Sequence, residues 1–382
     1  MNKKEALIQK GLEQQAVVKA IKKAGLSIEI KNEQEIIDHY RKGKNQIKVV
    51  PKKGESMDTC ATISEKYICC NVKVLKSVSN CPYDCSYCFL QNYLNDGSLK
   101  VVGDEKALIN EVKEKCKAEP KRLFRIGTWE LGDSLALEHQ TGQAQRLIEE
   151  FTKIPNAILE LKTKSDCVDP ILNCNHQQKT VVSWSLNSNY IVEQQEHKTA
   201  RLHQRLNAIK KVMKAGYLIG LHFDPMILHP NWKEEYKDLI NKVFSFLNPK
   251  QIAWISVGSL RFNPEMKKKM EENFPKSAIT AEEMVLGDDG KMRYVKPVRL
   301  QMYDHFFNCL QKELKIADLS PTTSFNINKP LIYYCMERWD IWDHTFGSHP
   351  KSIQELDYFF AKSFYERYPD SFNINPDIIN FT

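Results

Sequence analysis

The chain reads as an α/β protein built on a partial (β/α)6 TIM-type barrel. From Asn71 onward, short runs of β-favouring apolar residues alternate with stretches of helical periodicity, the pattern of parallel βα units. Six such runs occur before residue 262, enough strands to close part of a barrel. At 382 residues and 42% hydrophobic, the chain can bury a core of that size and carry appendages. Residues 1–70 are expected to form a leader packed on the barrel, 71–262 the barrel, and 263–382 a hairpin and helical region.

The leader carries a helical stretch from Lys4 to Lys23, then Ile36 to Tyr40, then a basic run from Arg41 to Lys53. Such a run is a solvated face or a phosphate-tracking patch, and the first use is the commoner one. Net charge is +7, a mild basic excess compatible with a polyanionic partner. Eleven cysteines, a polar lysine-rich N-terminus and no apolar run approaching membrane length predict a cytoplasmic protein in a reducing compartment, with no membrane partner. Cys60, Cys69 and Cys70 form a vicinal pair and an outlier, which reads as structural or incidental thiols rather than a second metal site.

The strand candidates are Val72 to Val78, Leu123 to Thr128, Ala157 to Leu161, Val181 to Leu186, Leu218 to Phe223 and Ile252 to Val257. Between them, Leu108 and Val112, Leu147 to Phe151, Leu202 to Met213 and Tyr236 to Leu247 recur at helical spacing, and Gly216 marks a helix stop. In parallel α/β folds ligands gather at the C-terminal ends of strands, so the residues just after each strand carry the chemistry.

The segment after the first strand is the most specific in the chain: Cys81, Cys85 and Cys88 stand at C-x3-C-x2-C spacing, with Tyr87 and Phe89 flanking the last thiol. Three closely spaced thiolates can hold a four-iron four-sulfur cluster and leave one iron open for a substrate or cofactor. Zinc would more often use two separated pairs, and three unrelated buried thiols is the remaining alternative.

This loop resembles that of the radical SAM superfamily. The string from Cys85 to Gln91 is similar to the C-x-Y-C-Y-L-Q loop of spore photoproduct lyases, which repair a thymine dimer in spore DNA. The resemblance implies a partial barrel, a [4Fe-4S] cluster on Cys81, Cys85 and Cys88, S-adenosyl-L-methionine as cofactor, DNA as partner, and an electron donor such as flavodoxin or ferredoxin. It also implies that Gly127 to Ser134, with Glu130 and Asp133, holds the methionyl end of the cofactor. Lys164 stands where the family has a lysine approaching the cofactor, and Ser185 and Asn187 match a Ser-Ile-Asn that touches ribose or carboxylate. Asp133 also reads as an ordinary helix cap.

Two positions depart from that family. Phe89 replaces a tyrosine, and Glu130 occupies the place of the hydrogen-donating cysteine, so of the return path for the hydrogen atom Tyr87 alone remains. Tyr87 and Glu130 are the expected catalytic positions. Asp224, Arg261 and the pair Arg293-Tyr294 are the substrate candidates, the first two at strand ends and the last in an Asp-Gly hairpin near 283–295, where the family's Arg-Tyr pair wedges into DNA. A plain surface hairpin is the other reading of that segment. From Leu300 the pattern turns helical, and the aromatics from Tyr333 to Phe346 read as a helix packed on the barrel. The expected function is radical chemistry on a nucleic-acid base. The alternatives are radical chemistry on RNA or a small molecule, prompted by Glu130, and a non-catalytic iron-sulfur or zinc nucleic-acid-binding protein.

Overall fold

The computed structural model describes residues 5–33, 35–37, 40–60 and 67–372. Lys4 of the expected leader helix, and Asp38 and His39 of the run ending at Tyr40, lie outside them. The central sheet has seven parallel strands: Lys73–Leu75, Phe124–Gly127, Ala157–Thr163, Thr180–Ser185, Leu218–Met226, Ile252–Ser259 and Leu331–Tyr334, each hydrogen-bonded to the next. Met57–Thr59 adds an antiparallel edge beside the first. Helices Glu105–Ala118, Gln143–Phe151, Leu202–Lys214 and Trp232–Phe244 place Leu108, Val112, Leu147, Ile209, Tyr236 and Ile240 in the core, the apolar stripes expected of them. Gly216, at a φ of 85°, stops the Leu202–Lys214 helix in a conformation that suits glycine.

Two segments differ from expectation. Leu331–Tyr334 is a seventh barrel strand, all four residues buried, and the aromatic helix begins only at Trp339–Phe346. A short run buried on both faces has no alternation, so spacing cannot separate strand from helix. Met336, at a φ of 57°, breaks the chain between the two elements. The first strand, expected as one run, stops at Leu75; Val78–Ser79 pairs instead with Leu99–Val102 in another sheet.

That second sheet is largely the work of the leader. Of the helical stretch expected from Lys4 to Lys23 only Ala16–Lys23 is helix, and Glu5–Gln9 is instead a strand that joins Ser27–Lys31, Gln46–Val50 and Leu99–Val102 in a parallel array. Ala6, Ile8, Val17, Val18, Ile21 and Val49 give this unit its own core. The cysteine loop therefore connects two strands of this second sheet, Val78–Ser79 and Leu99–Val102, after the chain leaves the barrel at Leu75.

Candidate cofactor and substrate site

The cysteine loop is fixed by its polar residues. Asp84 is buried and faces Lys44 Nζ at 2.8 Å and Lys198 Nζ at 2.6 Å, with Arg41 at 3.7 Å. Two of these cations come from the leader's basic run, so part of that run is an anchor for the loop rather than a solvated face. Asn80 accepts from the Cys81 amide at 2.7 Å and donates to the Gly97 carbonyl at 2.6 Å. Gln91 donates to the carbonyls of Ser86 and Cys88 at 2.9 and 3.0 Å, closing the loop behind its last thiol. A two-residue bridge pairs Asp84–Cys85 with Glu196–His197.

Beneath the thiols lies a buried charge network. Tyr87 donates a short hydrogen bond to Glu196, whose other oxygen meets Arg205 Nη2 at 2.6 Å. Arg205, fully buried, also donates to the Ser185 and Ala200 carbonyls. The Lys164 ammonium lies 5.6 Å from the centre of the Tyr87 ring. Burial opposes its charge, yet Glu196 and Cys85 hold its pKa above the ordinary value. Glu196, Arg205 and Tyr40, whose phenol burial and the three thiols push far up, were not legible as site residues. Each lies far in sequence from the thiols, with no motif around it.

The three thiols suit iron. Burial pushes Cys85 up to about 12 and Cys81 well above the free thiol, and the neighbouring thiols add to both rises. Cys85 is buried and Cys81 and Cys88 half-buried, and thiols with raised pKa values become thiolates beside a cationic group such as iron. Among the described residues no three His, Cys, Asp or Glu side chains already stand at metal-ligand spacing, so holding a cluster requires the three thiols to turn toward a common centre.

Other expected site residues are placed differently from their sequence reading. Asp133 accepts from the amides of Leu135, Ala136 and Lys164 and from Thr163 Oγ1 at 2.6 Å; it holds a turn rather than capping the helix Glu138–Thr141, and so ties the second-strand loop to the third strand. Asn187 spends its amide on Pro225 O, Tyr236 OH and the Ser188 amide. Asp224 and Arg261 pair with each other in a fork at 2.7 and 3.2 Å, so the Arg261 charge is neutralised rather than offered to phosphate. The hairpin Met284–Leu286 and Met292–Tyr294 forms as expected, but Arg293 and Tyr294 are each 1% exposed. Arg293 is clasped by Asp289, and Tyr294 OH accepts from the Leu228 amide at 3.1 Å. These two side chains are buried in the fold rather than held out as a wedge; Val285 and Leu286, in the hairpin's first strand, are its exposed apolar residues.

Inside the barrel, Glu160 is a further unpredicted centre. It receives Ser183 Oγ at 2.8 Å, His222 Nε2 at 2.7 Å, and the Trp129 and Trp254 indoles at 3.1 and 3.2 Å. Burial drives His222 down to about 4, leaving it neutral against a carboxylate held down at about 2 by His222, Arg125 and Lys162 against burial. The floor of the barrel is thereby polar, with Glu160 satisfied while Arg125 Nε and Nη2 are buried without a hydrogen-bond partner.

The family model for spore photoproduct lyase matches residues 5–320. The chain belongs to the spore photoproduct lyase family. Spore photoproduct lyase of Bacillus subtilis is 26% identical over 251 residues, 65% of this chain and 71% of the relative. That of Clostridium acetobutylicum is 26% identical over 264 residues, 67% and 75% of the two chains. Among solved structures, a spore photoproduct lyase double mutant with bound AdoMet and dinucleoside spore photoproduct aligns at a TM-score of 0.72 and 19% identity, covering 87% of this chain and 97% of that one. The lyase complexed with dinucleoside spore photoproduct alone aligns at 0.71. The half-barrel of this lyase-family chain is thus the fold of those enzymes, and its strand-end loops are the corresponding loops.

Proposed function

We propose that this family member is a radical SAM enzyme that repairs a thymine dimer of the spore photoproduct type in DNA. The observation that carries the reading is the cysteine loop: three thiols on one eight-residue segment, anchored through Asp84 to three cations and backed by Tyr87, Glu196, Arg205 and Lys164. Cys81, Cys85 and Cys88 would hold the [4Fe-4S] cluster. When bound, the cluster and S-adenosylmethionine supply a 5′-deoxyadenosyl radical that takes a hydrogen atom from the substrate.

The chain's own residues aim and insulate. Lys164 presents an ammonium beside the loop, suited to the cofactor's carboxylate, and Glu196 keeps that ammonium charged although it is buried. Asp133 fixes the loop carrying Glu130 against Thr163 and Lys164, which sets the distance between the second- and third-strand ends. A low-potential carrier such as flavodoxin or ferredoxin delivers the electron. No helix among the described residues is long and apolar enough to cross a membrane, and a cytoplasmic setting suits an oxygen-sensitive cluster.

The test is metal retention coupled to cofactor cleavage. Anaerobically reconstituted wild type is expected to retain four irons per chain, the complement of one such cluster, and to form 5′-deoxyadenosine with dithionite. Cys88→Ala is expected to lose both while keeping its circular dichroism. A wild-type chain that binds no iron, or cleaves no cofactor, contradicts the reading.

A further inference from the structure

Lys162 stands on the third barrel strand between the buried floor and the cysteine loop. Glu160 of that strand meets Ser183, His222 and Trp254 from three other strands, so its face is the one turned into the barrel. Side chains along a strand alternate between faces, which puts Lys162 on the same inner face, nearer the C-terminal end. Lys164, just past the strand, lies beside Tyr87 of the cysteine loop. The Lys162 ammonium rests 4.3 Å from the centre of the Trp129 ring. Trp129 is itself held: its indole donates to Glu160 at 3.1 Å, and a Cβ at Gly127 would fall 2.3 Å from its Nε1. Glycine at the end of the second strand is what lets the ring fold back over the barrel.

Lys162 is half-buried, and among the described residues its ammonium makes no hydrogen bond and no ion pair. Glu160, on the same face, already gives its oxygens to Ser183, His222 and the two indoles, and Arg261 at the end of the sixth strand is taken by Asp224. The three N–H donors of Lys162 are therefore available to a ligand in the mouth. A base on which an enzyme does chemistry is turned out of the stack into the site, while the DNA backbone stays outside. An ammonium on the inner face meets that base, and the acceptors a thymine ring presents are its keto oxygens. Resting on the repair function proposed above, we propose that Lys162 is the base-recognition residue of this chain, its ammonium donating to a keto oxygen of the thymine dimer. Trp129 acts through Lys162 as a positioning residue, because the face of its ring attracts the cation and its bond to Glu160 fixes the ring. The pair supplies a polar contact in a mouth where Arg261 and Arg293 are neutralised.

The probe is the dinucleoside spore photoproduct, which carries no phosphate. Its equilibrium binding to the anaerobically reconstituted chain, with S-adenosylmethionine and no reductant, reads the contact without turnover. Wild type is expected to bind the probe, and Lys162→Met, which keeps the apolar stem, to bind it about tenfold or more weakly, the worth of a charge-assisted hydrogen bond. Lys162→Arg restores a cationic donor and is expected to recover most of that loss, while S-adenosylmethionine binds all three chains alike. Unchanged probe affinity in Lys162→Met overturns the proposal and leaves the repair function standing. A loss confined to DNA carrying the dimer would put the ammonium on a phosphate, and a fall in S-adenosylmethionine affinity would put it on the cofactor; either overturns the base contact. Wild type that binds no probe overturns the repair function, and the subsite with it. If Lys162→Met does not fold, Lys162→Gln is read in its place against the same outcomes.

Discussion

Glu196 shows how much of this site rests on a single buried side chain. Its carboxylate takes a hydrogen bond from Tyr87, pairs with Arg205 and sustains the charge of Lys164. Glu196→Gln would leave the Arg205 guanidinium buried beside a neutral amide, and removing one partner of such a pair costs about 3–5 kcal/mol. The expected outcome is a loss of that size in urea unfolding, with faster loss of iron from the reconstituted chain. Wild-type stability would show that the pair is solvent-screened despite its burial. The cysteines were legible because three candidate ligands of one cluster fall within eight residues. Glu196, Arg205 and Glu160 were not, because a buried charge is recognised by what surrounds it, and strands and loops distant in sequence supply those surroundings.

At the scale of elements, the junction between Glu138–Thr141 and Gln143–Phe151 couples pH to stability. Glu138 is buried and accepts from the amides of Ala144 and Gln145 at 2.8 and 3.0 Å, at the start of the second helix. Burial nonetheless raises it from 4.5 to about 7. Above pH 4.5 the unfolded carboxyl has lost its proton while the folded one keeps it, so folding stability falls as pH rises from about 4.5 through 7. Glu138→Gln keeps an acceptor for the amides without the charge. Its denaturant midpoint between pH 5 and 8 is expected to lose that slope; an unchanged slope would place the titration elsewhere. The six expected strands were legible because β-branched runs end at turn residues on either side, and the helices because their apolar stripes repeat. Leu331–Tyr334 was missed because a strand buried on both faces carries no alternation. The leader's strand Gln46–Val50 was hidden in a basic run, although its Lys48 is in fact buried.

For the whole molecule, the half-barrel and the leader's sheet form two cores, and the cysteine loop connects two strands of that sheet. The mouth holds paired charges, Asp224 with Arg261 and Asp289 with Arg293, so affinity for DNA must draw on other groups than these arginines. The departures at Glu130 and Phe89 fall in the second-strand loop and the cysteine loop, while the anchors Asp84 and Asp133 lie within the same two segments. The most direct test of the account is therefore anaerobic turnover on DNA carrying the spore thymine dimer, with dithionite and S-adenosylmethionine, following 5′-deoxyadenosine and thymine together. Formation of both, with the dimer reverting to two thymines, is the predicted result. Formation of 5′-deoxyadenosine while the dimer persists would contradict the repair function and move this chain's radical chemistry to another substrate.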